Sequence, residues 1–273
     1  MDRFQSADKM EYDMGKVPDK EDYLLFYKII EKKYVPSLTK DGQVYFGLLE
    51  TYRQMEQHNM TAVGDRSEAS LSAYIAQYIE IDGEYHEIHG PTAGNCARVS
   101  ANQCAFCCYY VGMKQFEMVG TNKYRFEFDS SDISTICADK GGEENCAIII
   151  FDDSIVRKIC KELNNRQVRH DVGRIIYDDF KYVPKHDIHS LEYALECVFH
   201  KSKRYEYQNE FRIGAINQLK APINDLFIPV DPSDFSVVEL NKGQSLICYL
   251  EIETKELPEG ILEVLFNISF ENG

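Results

Sequence analysis

Apolar and polar positions alternate along Val198 to Ala215, which reads VFHKSKRYEYQNEFRIGA. Tyr205, Tyr207, Phe211 and Ile213 fall on one side of a two-residue period; Glu206, Gln208, Glu210 and Arg212 fall on the other. In a strand those sets occupy opposite faces, so three polar side chains and an arginine would line one surface. The plain alternative is a half-buried strand whose polar face is simply solvated.

Elsewhere the pattern predicts many strands and few helices. Residues 1–20 are polar and charged, an arm or short helix. Tyr23 to Ile30 (YLLFYKII) reads as a strand, and Lys32 to Lys40, with Pro36, as a turn into a short helix. Asp41-Gly42 marks a tight turn into the strand QVYFGLL. A helix over Tyr52–His58 precedes a glycine-hinged loop, and two weak strands flank the Asp82-Gly83 turn. The cysteine-rich segment Arg98 to Met113 reads as a buried strand, and Asn122 to Phe128 as an alternating one. Ser130 to Gly142 reads as a polar connection and Cys146 to Phe151 (CAIIIF) as a buried strand. Asp152-Asp153-Ser154 supplies an N-cap for a helix with Ile155, Ile159 and Leu163 on one face. Gly173 to Phe180 is read as a strand and Ser190 to Val198 as the start of a helix. Leu226–Val230, Ser236–Leu240, Ser245–Glu253 and Ile261–Phe270 read as closing strands or short elements. Strands outnumber helices without regular interleaving, which predicts an α+β fold over a doubly wound sheet. We expect a single domain over residues 21–273, with a split, mostly antiparallel sheet and flanking helices.

Composition narrows the classes. The chain has 273 residues, 44 % of them apolar and 12 % aromatic, which is ample for a packed core. A net charge of −15 argues against general adhesion to nucleic acid or anionic membrane, though a local basic groove stays open. Lys201, Lys203 and Arg204 form such a local cluster. No apolar run approaches the roughly 18 residues of a membrane span, and the start lacks a signal-peptide core, so a cytoplasmic protein is expected. The nine cysteines, several inside apolar runs, read as buried free thiols of a reducing compartment.

Candidate chemistry is sparse. His86 and His89, His186 and His189, and Cys104 with Cys107 have spacings that zinc sites use. The cysteines lie in an apolar run without a glycine-rich knuckle, which favours buried thiols and no metal. Cys107 or Cys108 as a nucleophile would need a histidine close in space. Neither GxGxxG nor GxxxxGK[ST] occurs, which disfavours Rossmann and P-loop enzymes. A glutamate flanked by aromatics suits glycosidic cleavage through an oxocarbenium ion, where a carboxylate steadies the positive charge. Gln208 would lie about 7 Å along the same face from Glu210.

That Gln-x-Glu on a late strand, after an early aromatic strand and short helix, resembles the ADP-ribosyltransferase superfamily. KSKRYEYQNEFRI is similar to the basic, aromatic run leading to Gln-x-Glu in DarT-like toxins, which modify nucleic-acid bases; CmdT-like toxins of phage defence belong to the same superfamily. YLLFYKIIEKKYVPSLTKDGQVYFG is similar to their opening strand, helix and strand. The resemblance implies NAD as substrate, Glu210 as the catalytic glutamate on the nicotinamide ribose, and Gln208 as the residue orienting the acceptor. It implies that Tyr27 stands where relatives carry an NAD-binding group, that Phe46 and Tyr52 stack on nicotinamide, and that Arg53 meets the pyrophosphate or assists the acceptor. Lys201, Lys203 and Arg204 would contact nucleic acid, RNA ahead of DNA, and a toxic activity implies an antitoxin or other inhibitory protein. The chain departs from the family in having Tyr27-Lys28 where a histidine or arginine is expected, and in lacking a clear Ser-Thr-Ser element. A protein acceptor, a catalytically silent nucleotide- or partner-binding module and a zinc-stabilised interaction domain are the alternatives.

Overall fold

A computed structural model describes residues 25–52, 77–81, 84–88, 102–178, 190–202, 205, 209–217, 226–243, 246–256 and 262–272. In chain order the strands begin with β1 (Leu25–Glu31), β2 (Gln43–Leu48), β3 (Gln77–Ile81), β4 (Glu84–Ile88) and β5 (Asn102–Val111). They continue with β6 (Glu117–Gly120), β7 (Lys123–Glu127), β8 (Cys146–Phe151), β9 (Arg169–Arg174), β10 (Ile176–Asp178) and β11 (His200–Ser202). The last are β12 (Glu210–Asn217), β13 (Leu226–Pro229), β14 (Ser236–Glu239), β15 (Leu246–Glu256) and β16 (Leu262–Asn272). The helices are α1 (Val35–Thr39), α2 (Ser130–Ala138), α3 (Asp153–Asn165) and α4 (Leu191–Cys197), and residues 49–52 are also helical. The architecture is mixed, with a mostly antiparallel sheet core and a few helices. The described residues fall into two compact units, with boundaries inside β2, β5 and α3.

One unit takes its described residues from Asp13–Gln43, Cys108–Arg157 and Val230–Gly273. Its centre is β8, which pairs antiparallel with β1 along one edge and with β14 along the other. CAIIIF is buried at every position because both faces of a central strand are covered, which explains a continuous apolar run without alternation. Cys146, Ile148 and Ile150 point into a cluster with Ile133, Ile136 and Cys137 of α2, while Phe151 stacks on Phe26 at 5.7 Å. β6, β7, β15 and β16 make a further antiparallel sheet. At the turn into β2, Gly42 has φ +60°, and its carbonyl accepts from Val230 N at 2.8 Å. A Cβ there would meet Val230 O at 2.5 Å, so only glycine fits.

The expected polar connection at Ser130 to Gly142 is instead the helix α2. The Asp129 side chain accepts from Ser131 N and Asp132 N, and Ile133, Ile136 and Cys137 supply a narrow buried stripe. β6 carries no apolar pattern because every one of its residues is exposed. Asp152 caps α3 as expected, accepting from Ser154 N at 2.9 Å.

The other unit takes its described residues from Val44–Cys107 and Lys158–Pro229. β2 lies between β13 and β5, and β12 pairs with both β5 and β9. β3 and β4 form an antiparallel hairpin, while β10 and β11 run parallel. The strand expected over Gly173 to Phe180 is two: β9 starts earlier and ends at Arg174, and β10 follows after Ile175, whose N–H donates to Glu210 O at 3.0 Å. Val198 to Ala215 is likewise not one strand. Tyr205 is in helical geometry, Asn209 turns the chain at φ +48°, and β12 opens only at Glu210. Asn209 tolerates the left-handed region as few side chains do, so the alternation ran across a real break.

Candidate functional site

Ser190 caps α4 by accepting from Tyr193 N at 3.0 Å, and the helix delivers Val198, Phe199 and then β11. β11 lies alongside β10 with Tyr177 opposite Lys201. The register of β12 on β9 sets Phe211 opposite Arg174 and Arg212 opposite Gly173. Gly214 allows close packing against the end of α4, since a Cβ there would meet Val198 Cγ1 at 2.6 Å.

Glu210 sits at the head of β12, only 5 % exposed, between two cations. Lys201 Nζ donates to its Oε2 at 2.8 Å, and Arg212 Nε donates to its Oε1 at 2.6 Å. Arg212, 1 % exposed, is held from behind by Nη1 donating to Val198 O at 2.7 Å. The backbone N–H of Glu210 donates to Tyr177 Oη at 3.1 Å, and Lys201 Nζ lies 4.5 Å from the Tyr205 ring centroid. Period two places Glu210 and Arg212 on one face and Phe211 and Ile213 on the other, as the sequence predicts, but all four are buried. For Glu210 and Arg212 the solvated polar face is therefore replaced by a closed ion cluster. Its charges tolerate burial because each is paired and hydrogen-bonded. Burial alone would raise the Glu210 pKa; the Arg212 guanidinium and the Lys201 ammonium outweigh it and hold the carboxyl down at about 2. The carboxylate is ionised at any physiological pH.

The other predicted residues are placed unevenly. Lys201, expected on nucleic acid, is buried against Glu210 and turns its ammonium inward, away from any phosphate. Phe46, expected against nicotinamide, is fully buried with its ring 6.2 Å from that of Phe106, so the core takes up its stacking faces. Tyr52 packs on a cluster of Leu49, Ala105, Val198 and Phe199, and its ring covers Gly47. It is the predicted aromatic that reaches the segment anchoring Arg212. Tyr27 belongs to the other unit, its ring 5.1 Å from Tyr109 and 5.0 Å from Phe128. Burial, with Asp132 and Asp129 adding to it, raises its phenol pKa, so it acts as a neutral hydroxyl. Gln208, Arg53, Lys203 and Arg204 lie outside the described residues, as do His89, His186 and His189.

Arg212 and Tyr177 are the contributors to which sequence reasoning assigned no role. Arg212 was legible as a same-face neighbour two residues from Glu210. Tyr177, 33 residues away, carried no such signal. Among the described residues no group of histidine, cysteine and acidic side chains is arranged to hold a metal ion, and no helix is long and apolar enough to cross a membrane. No protein-family model, curated protein or solved structure matches the chain.

Proposed function

We propose that the chain is an NAD-dependent ADP-ribosyltransferase acting on a nucleic-acid base, with Glu210 as the carboxylate that holds the nicotinamide ribose. The observation that carries this reading is an ionised glutamate at the head of a late strand, aimed by Arg212 and Lys201. In the reaction the bond between ribose C1′ and the nicotinamide nitrogen breaks and its electron pair leaves with nicotinamide. The acceptor atom then bonds C1′ and loses its proton to solvent. A fixed negative charge beside the ring favours the cationic sugar that forms between those events. Arg212, doubly anchored, keeps the carboxylate in place. The Lys201 contact at Oε2 is the one a ribose hydroxyl would exchange with.

A nucleic-acid acceptor rests on Lys203 and Arg204 in the sequence, since Lys201 is engaged with Glu210. An inhibitory partner follows only from the toxicity of such an activity. The test is incubation of the full chain with NAD and, separately, RNA, DNA or lysate protein, reading nicotinamide release and label transfer. Release with transfer to a nucleic acid is the expected result. Absence of release with every acceptor would refute the enzyme.

A second reading is favoured by one observation: both oxygens of Glu210 are already engaged and the residue is 5 % exposed. A catalytically silent module that binds a nucleotide or a partner would keep that cluster intact. Calorimetry separates the two, because the silent module binds without releasing nicotinamide.

A further inference from the structure

The two cations on Glu210 are not equivalent. Arg212 shares β12 with the carboxylate it bonds, and its Nη1 is tied to Val198 O at 2.7 Å. Lys201 arrives from a different strand, β11, which is three residues long and pairs with β10 over His200, Lys201 and Ser202. Its ammonium closes on Oε2 at 2.8 Å, and the two side chains are only 3 % and 5 % exposed. The buried Tyr205 ring, with its centroid 4.5 Å from the same nitrogen, favours the cation where it stands. A lysine is rarely buried to this degree unless it is paired. Its flexible four-carbon stem nevertheless lets the ammonium swing away while the strand stays in place. Oε1 is thus committed to Arg212, whereas Oε2 is the oxygen whose partner can be exchanged. While Lys201 holds it, the carboxylate is covered and no sugar hydroxyl reaches it.

We propose that Lys201 is an autoinhibitory latch, which keeps the Glu210 carboxylate covered until NAD takes Oε2 from the ammonium. This regulates the site described above and rests on the reading of Glu210 as the carboxylate that holds the nicotinamide ribose. Latched and open forms are in equilibrium, and a ligand that binds the open form alone draws the population toward it. Its apparent dissociation constant is the intrinsic one divided by the open fraction, so the latch weakens NAD binding. An ion pair that serves folding alone has the opposite consequence: without Lys201 the site loosens and NAD binds no better.

Calorimetric titration of NAD into the full chain and into Lys201→Met tests this, with Lys201→Gln as a milder substitution and the folding of each checked by circular dichroism. The expected result is a dissociation constant lower by about 10-fold or more in Lys201→Met, equivalent to an open fraction of about a tenth or less in the native chain. Lys201→Gln should give a smaller drop, because its neutral amide still donates to Oε2. In the native chain Lys201 should be protected from an amine-reactive reagent and should label faster once NAD is added, read by mass spectrometry. If neither variant folds, that labelling decides alone. Unchanged or weaker NAD binding by a folded Lys201→Met, or a Lys201 equally protected at saturating NAD, would overturn the latch. Should the native chain still release nicotinamide in that case, the role of Glu210 stands and the latch alone falls. Failure of every chain to bind NAD refutes both.

Discussion

With Arg212 at 2.6 Å and Lys201 at 2.8 Å, the Glu210 carboxylate makes a pH-dependent contribution of definite sign. Its folded pKa of about 2 lies below that of an unfolded glutamate, about 4.3. The stabilisation, on the order of 3 kcal/mol, is complete above the unfolded value and is lost as pH falls through the folded one. Urea unfolding should therefore find the stability gap between the native chain and Glu210→Gln flat from pH 7 to about 4.5, narrowing below it. A gap that stays flat below about pH 4, or that widens as pH falls from about 6 to 5, would mean the cations do not hold the carboxylate. Removing a cation is also costly, because the charge left behind is buried. Arg212→Met should cost about 3–5 kcal/mol. Lys201→Met should cost less, because Arg212→Met removes the Val198 O contact as well as the ion pair. Equal losses in chemical denaturation would contradict the anchored role of Arg212. Arg212→Lys should not rescue it, since an ammonium cannot span both acceptors.

Among the elements, α4 is the one that brings the cluster together, because its end supplies Val198 and leads directly to Lys201. Ser190→Ala removes the cap on Tyr193 N and should lower stability by about 1 kcal/mol, read from the denaturation midpoint. A neutral result would show that the helix start is held by tertiary packing alone. Gly214→Val should destabilise more than Ser190→Ala, because a branched Cβ would enter the space of Val198 and Phe199. Elements with a strong local signature were legible in the sequence. β8 is a run of apolar residues and α3 combines an Asp152 cap with Ile155, Ile159 and Leu163 at helical spacing. α2 was not legible, because Ser130, Ser131, Asp132 and Ser134 mask a buried stripe of a few positions. The break at Asn209 was hidden for the opposite reason: tyrosines and phenylalanine kept a period of two on both sides of it. The shared face of Glu210 and Arg212 followed from that period. Its closure did not, since it depends on Lys201 arriving from β11 and on Tyr177 from β10.

At the scale of the whole molecule, a net charge of −15 constrains how any nucleic acid is held. With Lys201 buried against Glu210, Lys203 and Arg204 are left of the three proposed contacts to meet phosphates, so RNA affinity should be modest and its salt dependence shallow, a log–log slope of magnitude about 2 or less. A steep slope would place the nucleic-acid surface elsewhere on the protein. The most direct measurement is nicotinamide release from NAD by the native chain and by Glu210→Gln, with RNA supplied and folding of both verified. The account predicts release by the native chain and a fall of about 100-fold or more in the variant. No release by the native chain, or equal release by a folded Glu210→Gln, would contradict it and leave the buried cluster a structural feature alone.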